Sequence, residues 1–497
     1  MNKLLAIALL CISLPEARAG LRAGFAERDI TPEIGMEVPG GYGKVFAKRI
    51  HDPCKVRAVV FDDGQRRVAL VGVDALSFHR LIAVDVRAAI HARCGIEPDA
   101  ILIGASHSHS SGPIAGVMPG EFDHASELVK DLAYNKSICV DPKYLATFRE
   151  ALVEAVVAAD AARVDVTAGF GTGTEGTVAF NRRIKMKNGL AFSHPAKGNP
   201  DNVAYAGPTD PQVGVIGVWD AEGALLGCVV NFSCHATANG PWISANWIHY
   251  MERAIQGYYP KAAVVFLQGA CGDVTQVDNL GPFASPDGDA WSQFVGGRIG
   301  AEAVKVLLGM SQTRVAEVPL AVAQKTWSIP RRVPAPARVA AAKELAIKDP
   351  KEAGPDWVWA KETLLLDARI ATQPAEEVEV QAIQVGPVVC LSNPSEYFVQ
   401  YGLDLKAGSG FPITFPVELA NGSVGYVPTE EAFGPNGGGY ETRLTGYSNL
   451  EITAGRQMRD AGLELARKLT PAKLPQPPPA PPFKAPWTYG NVPPQLE

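Results

Sequence analysis

Two periodicities alternate along the chain. Short β-branched runs bounded by turn residues read as strands, and longer stretches with apolar residues three and four apart read as helices. Lys55 to Phe61 and Arg67 to Val73 are two such runs joined by Asp62-Asp63-Gly64, a hairpin signal. His79 to Cys94 has helical spacing and stops at Gly95, and Ile101 to Ile103 supplies the next strand. That order predicts a crossover unit whose functional loop lies at the carboxyl end of its last strand. Residues 115–140 carry no pattern, Tyr144 to Ala161 reads as a helix, and Arg163 to Phe170 as a strand. A second hairpin, Val213 to Trp219 and Leu225 to Phe232, turns at Asp220-Ala221-Glu222-Gly223, and the buried strand Ala262 to Leu267 precedes a helix from Trp291 to Leu308. Residues 336–370 form an alanine-rich helical hairpin broken at Asp349-Pro350 and Gly354-Pro355. Two strands flank Gly386-Pro387, Ile413 to Leu419 is another strand, and Leu450 to Leu469 is the last helix. The alternation predicts an α/β chain of mixed α+β character, with mixed sheets and no internal repeat.

The ends read differently. Residues 1–19 place Lys3 before an apolar stretch from Leu4 to Leu14 and end in Ala17-Arg18-Ala19, the order of a secretory signal, so the mature chain is expected to be periplasmic or secreted. Residues 20–470 are expected to form one catalytic domain with a helical insertion at about 336–372, and 471–497 a proline-rich tail. A net charge of -6 without a basic run argues against a nucleic-acid partner. No later run reaches the ~18 apolar residues of a transmembrane segment. Seven cysteines follow the leader at irregular spacing, which describes neither a disulfide framework nor a thiolate metal site. Oligomeric state is not legible.

The chemistry-bearing residues cluster at strand exits. The run to Ile103 leads into Ser106-His107-Ser108-His109-Ser110-Ser111-Gly112-Pro113; Leu225 to Phe232 leads into Cys234-His235; Ala262 to Leu267 leads into Gly272-Asp273-Val274-Thr275; and the strand after Gly386 leads to Glu396. Nitrogen and oxygen donors without thiolate suit Zn²⁺ in a hydrolytic site, where the metal lowers the pKa of water to about 7 or polarises a carbonyl. Taken singly, His235 is more often a packed core histidine, Glu396 more often a carboxylate at a helix start, and Tyr426 or Tyr440 a buried aromatic with a bonded hydroxyl. If the backbone stays extended, His107 and His109 point to one side about 6.5 Å apart. That separation gives one histidine to the metal and the other to the substrate.

These motifs, with Asp29-Ile30-Thr31, Asn181-Arg182, Asp210-Pro211-Gln212 and Gly425-Tyr426-Val427 in the same order, resemble the neutral ceramidase family, neutral/alkaline amidases that cleave the N-acyl bond of sphingolipids. The resemblance runs from about Gly24 to Leu469. It implies the fold of that family's catalytic domain and a zinc held by His107, His235, Glu396 and Tyr426, with His109, Arg182 and Tyr440 facing the reacting carbonyl. Two features depart from the family. Its serine in a Gly-Asp-Val-Ser-Pro stretch is replaced by Thr275, followed by Gln276, and the β-sandwich domain expected after the catalytic one gives way to the tail. Threonine keeps the hydroxyl on a stiffer χ1. The leading expectation is a zinc-dependent hydrolase of an amide, or of an ester, acting on a small molecule or lipid. A polysaccharide lyase acting on uronic acid glycans, with His or Tyr as base, is the alternative from another class. A non-catalytic binding protein is the third.

Overall fold

The computed structural model describes residues 20–237, 242–490 and 492–497. The reading of residues 1–19 as a signal therefore lies outside the described residues. Three sheets dominate the mixed α/β fold, and each is built by the same chain path. An outer strand (Arg22–Asp29, Thr167–Thr174 or Leu320–Pro330) pairs antiparallel with the first strand of a hairpin (Lys55–Asp62, Gln212–Trp219 or Ala375–Val385). The second hairpin strand (Arg67–Val73, Leu225–Phe232 or Val388–Ser392) then leads through a helix (Arg80–Cys94, Trp247–Tyr258 or Val399–Gly408) to a parallel strand (Ile101–Ala105, Ala263–Gln268 or Ile413–Val417). A further helix follows each unit: Pro142–Ala161, Gly288–Gly309 and Ala454–Arg467. The expectation of no repeat thus fails at the level of topology. The three units share an order of elements without sharing a sequence.

The parallel edges of the three sheets meet. Asn421 N donates to Ile103 O (2.8 Å), Glu418 N to Gln268 O (3.0 Å), and the Asn231 amide to both Leu267 O (2.8 Å) and Pro416 O (2.9 Å). The strands there are fully buried, which explains their continuous apolar runs. Carboxyl ends of parallel strands are where an α/β fold exposes its loops to a ligand, and here three such ends face one another.

Several expectations change. Arg163 to Phe170 is two strands: Val164–Asp165 joins the first sheet and Thr167–Thr174 the second, because the chain crosses between layers at Val166. Residues 115–140 include a helical turn, Glu127–Lys130, capped by the Ser126 hydroxyl and continuing as a π-helical turn to Asn135. The helix Trp247–Tyr258 and the strand Leu320–Pro330 are additional to the elements that the sequence pattern predicts. The hairpin of Pro336–Ala346 and Pro355–Thr372 packs on the 117–139 segment as a separate apolar layer. Among the described residues no helix is long and apolar enough to cross a membrane, and all seven cysteines are free thiols.

Candidate metal centre and its cleft

The backbone does not stay extended between the two histidines. The strand ends at Ala105, Ser106 N closes onto Val73 O (2.9 Å), and His107 takes a left-handed φ of 60°. The turn folds the pair together, so that His107 Nε2 and His109 Nε2 lie 3.3 Å apart rather than two strand rises apart. Each of the three site histidines has its Nδ1 on a backbone carbonyl: His107 on Leu76 O (3.0 Å), His109 on Gly40 O (2.9 Å), His235 on Cys271 O (2.8 Å) and Val274 O (3.0 Å). A carbonyl only accepts, so each ring carries its proton on Nδ1 and turns an Nε2 lone pair inward. Gly40 has to be glycine for this: a β-carbon there would fall 2.2 Å from the His109 carbonyl oxygen. The three rings bring ligand atoms within 4.8 Å of one another.

Glu396 completes the cluster from the third unit, where its short strand pairs in parallel with Tyr426-Val427 and sets Glu396 opposite Tyr426. Its Oε2 lies 3.2 Å from His107 Nε2 and 3.5 Å from His235 Nε2, buried and without a hydrogen bond. These separations are close to the edge of a tetrahedron with ~2.0–2.1 Å bonds. Nitrogen lone pairs and a carboxylate facing one another in a buried pocket repel unless a proton or a metal ion sits among them, and the donor set fits a metal such as zinc. The titration directions divide the cluster: His107 and Glu396 favour a charged pair, whereas His109 and His235 favour neutral rings. Burial works against a charge on His107, yet Glu396 holds its pKa above the ordinary value; burial, aided by His107, pushes His109 down to about 3; burial and then Arg182 hold His235 well below its usual range. Despite its burial, Glu396 is held well below the carboxylate range by His107.

Arg182 stands beside this cluster. Its Nε donates to Glu441 Oε1 (2.7 Å) and its Nη2 to Gly272 O (2.8 Å), while Nη1 meets the His235 Nε2 lone pair at 3.0 Å. The guanidinium lies 5.1 Å from the Tyr440 ring centroid and 5.4 Å from that of Tyr426, and the two hydroxyls are 3.3 Å apart. Burial pushes both phenols up, so both keep an O–H to donate. Thr275 is buried on the turn whose Val274 carbonyl holds His235, but its hydroxyl donates to Gln276 Oε1 (2.9 Å) and faces the Thr237 hydroxyl (3.5 Å). No histidine or carboxylate among the described residues bonds it.

Residues that the sequence did not single out complete the surroundings. Glu441 is fully buried and also accepts from the Ser193 hydroxyl (2.5 Å). Glu418, whose carboxyl burial pushes up to about 7, accepts from Cys271 N and Tyr397 N (both 2.9 Å) and braces the floor between units two and three. At the mouth, the Tyr42 ring packs on Trp359 and Tyr447, with centroids 5.6 and 5.7 Å away. A cavity of about 380 Å³ opens beside Tyr440, lined by Phe192, Ser193, Pro195, Gly439 and Arg443. The glycine-rich runs at 39–43 and 437–439 were the available signals, since both bring backbone close to the site.

No family model matches the sequence. The chain is 26% identical over 303 residues to a neutral ceramidase of Pseudomonas aeruginosa, covering 57% of this chain and 41% of that protein. The chain therefore aligns with less than half of the curated relative's length. The crystal structure of neutral ceramidase from Pseudomonas aeruginosa matches the fold with a TM-score of 0.67 at 20% identity, over 93% of this chain and 77% of that one. A ceramidase complexed with C2 matches with the same TM-score at 19% identity. With the ordered motifs, the aligned sequence and the shared fold in agreement, this chain is similar to the neutral ceramidases in fold and, over part of their length, in sequence.

Proposed function

We propose that the chain is a zinc-dependent hydrolase of an amide bond, exported by way of residues 1–19, with an N-acyl lipid as the substrate class to which its ceramidase relative points. The observation that carries the reading is the convergence of His107 and His235 Nε2 on the unpartnered Glu396 Oε2, with His109 Nε2 3.3 Å from that of His107. A zinc ion held by His107, His235, Glu396 and Tyr426 would polarise the scissile carbonyl and lower the pKa of water beside it. His109 is the one site histidine with partial exposure, so it is the one a substrate can touch. His109 and Tyr440 stabilise the oxyanion that forms at the carbonyl. Arg182, clamped by Glu441 and Gly272 O, supplies a fixed positive charge that needs no reorganisation during the reaction. Ester cleavage passes through the same oxyanion.

A lyase would use Arg182 or the metal to neutralise a uronate carboxylate, and of the two the guanidinium is already bound on three sides. The decisive experiment incubates the full chain with mixed N-acyl lipids and with uronic acid oligosaccharides, after metal analysis. Expected are about one zinc per chain and release of fatty acid. An unsaturated uronide absorbance without fatty acid would replace the proposal with elimination. A metal-free, fully active protein would remove the zinc.

A further inference from the structure

Three arginines gather on one segment beside the cleft without an acid to pair with. The segment 443–450 carries Arg443 and receives two others: Arg338 from the helical hairpin donates Nη2 to Leu444 O (3.1 Å), and Arg332 donates Nη2 to Ser448 O (3.0 Å) and Nε to Leu450 O (2.9 Å). Arg443 stacks over the Trp359 ring at 4.3 Å, and among the described residues its side-chain donors have no acceptor. The neighbouring arginines differ, since Arg331 pairs with Glu376 and Arg369 with Glu121. Glu362, which lies against Gly446, pairs with Lys361. Among the described residues no carboxylate lies within ion-pair distance of Arg332, Arg338 or Arg443. The chain as a whole carries -6, so a local positive field here runs against the average. Burial lowers the pKa of Arg338, with Arg443 adding to it; burial lowers Arg332 to about 10, with Arg338 adding to it. These charges repel one another across the same short segment.

Arg443 also lines the cavity of about 380 Å³ that Tyr440 lines, and Tyr440 reaches back to Tyr426. A molecule with its scissile bond at Tyr440 therefore extends into a chamber edged by an uncompensated guanidinium. We propose that this chamber, lined by Arg443 and flanked through the 443–450 segment by Arg332 and Arg338, selects substrates that carry an anionic group, carboxylate or sulfonate, on the amine half of the amide, as in an N-acyl amino acid. The proposal rests on the amidase reading and narrows it. An anion there neutralises repulsion already present among these arginines, whereas a neutral amine half leaves it in place.

The test uses the metal-loaded full chain and three conjugates with one acyl chain: N-lauroylglycine, N-lauroyltaurine and N-lauroylethanolamine. The two anions are expected to show kcat/KM at least about tenfold above the neutral conjugate, mainly through KM, with the gap closing as salt rises. In the Arg338→Gln/Arg443→Gln protein that ratio falls toward one, and in Arg338→Glu/Arg443→Glu it inverts. The glycine and taurine arms separate a carboxylate requirement from a general anion requirement. If no conjugate is cleaved, calorimetric affinities of the same three ligands read the arginines directly. Anion preference in binding without cleavage keeps this proposal and overturns the amidase reading. Equal rates, or equal affinities, for anionic and neutral conjugates in the unaltered protein overturn this proposal and leave the amidase reading standing.

Discussion

At His107 the backbone turns left-handed, and the consequence is a shared pocket for two side chains that an extended strand would have kept about 6.5 Å apart. All three histidines can reach one ion, so geometry alone no longer divides them. Exposure does. His107 and His235 are buried and bear directly on Glu396, whereas His109 is partly open to the cleft. His109→Ala is expected to keep its zinc and to lose about 10²–10³ in turnover, as for an oxyanion donor; loss of the metal in that variant would make His109 a ligand instead. Thr275 lies beside the same cluster but gives its proton to Gln276. Without a base on its hydroxyl, Thr275→Val is expected to cost less than about tenfold in kcat, since nucleophile removal costs several orders of magnitude more. A loss of that larger size, restored by Thr275→Ser, would make the threonine the nucleophile. The donor residue types were legible in the sequence because each follows an apolar strand. The tautomers were not, because they depend on carbonyls such as Gly40 and Leu76 that only the folded chain places.

Between elements, the first and second units are joined by a buried ion network. Arg57 on the Lys55–Asp62 strand donates to Asp74 Oδ2 (2.8 Å) and Glu252 Oε2 (2.7 Å), the latter on the Trp247–Tyr258 helix. The side chains of all three are at most 4% exposed. Arg57→Met leaves buried Asp74 without its cation and Glu252 with Lys55 alone (3.3 Å), and the expected loss is about 3–5 kcal/mol in the midpoint-derived stability of chemical denaturation. A loss under about 1 kcal/mol would mean that the carboxylates take up protons or water instead. The helix that carries Glu252 was readable in principle, since Trp247, Ile248, Met251 and Ile255 fall on one buried face. The hairpins were easier, because Asp62-Asp63-Gly64 and the Asp220 turn mark them locally. The division of Arg163 to Phe170 between two sheets leaves no local trace, because both halves alternate alike and only non-local partners separate them.

Across the whole molecule, the candidate ligands come from three copies of one chain path. His107 follows the parallel strand of the first unit, His235 the hairpin of the second, and Glu396 the hairpin of the third. A metal held there binds an arrangement that the unfolded chain cannot present, so its binding free energy adds to the stability of the junction of all three sheets. At a free-metal concentration 1,000-fold above Kd the gain is about 4 kcal/mol. Stripping the protein with a chelator is therefore expected to lower its thermal midpoint by several degrees, and adding zinc back should restore it. The ligand variants separate this linkage from nonspecific effects of the chelator. His235→Ala should unfold at one temperature whether metal is present or stripped, as should His107→Ala, because neither retains the site. An unaltered protein whose midpoint ignores the chelator would show that the repulsion among His107, His235 and Glu396 is relieved by a proton alone. The three units would then be held together by the Asn421, Glu418 and Asn231 hydrogen bonds without metal.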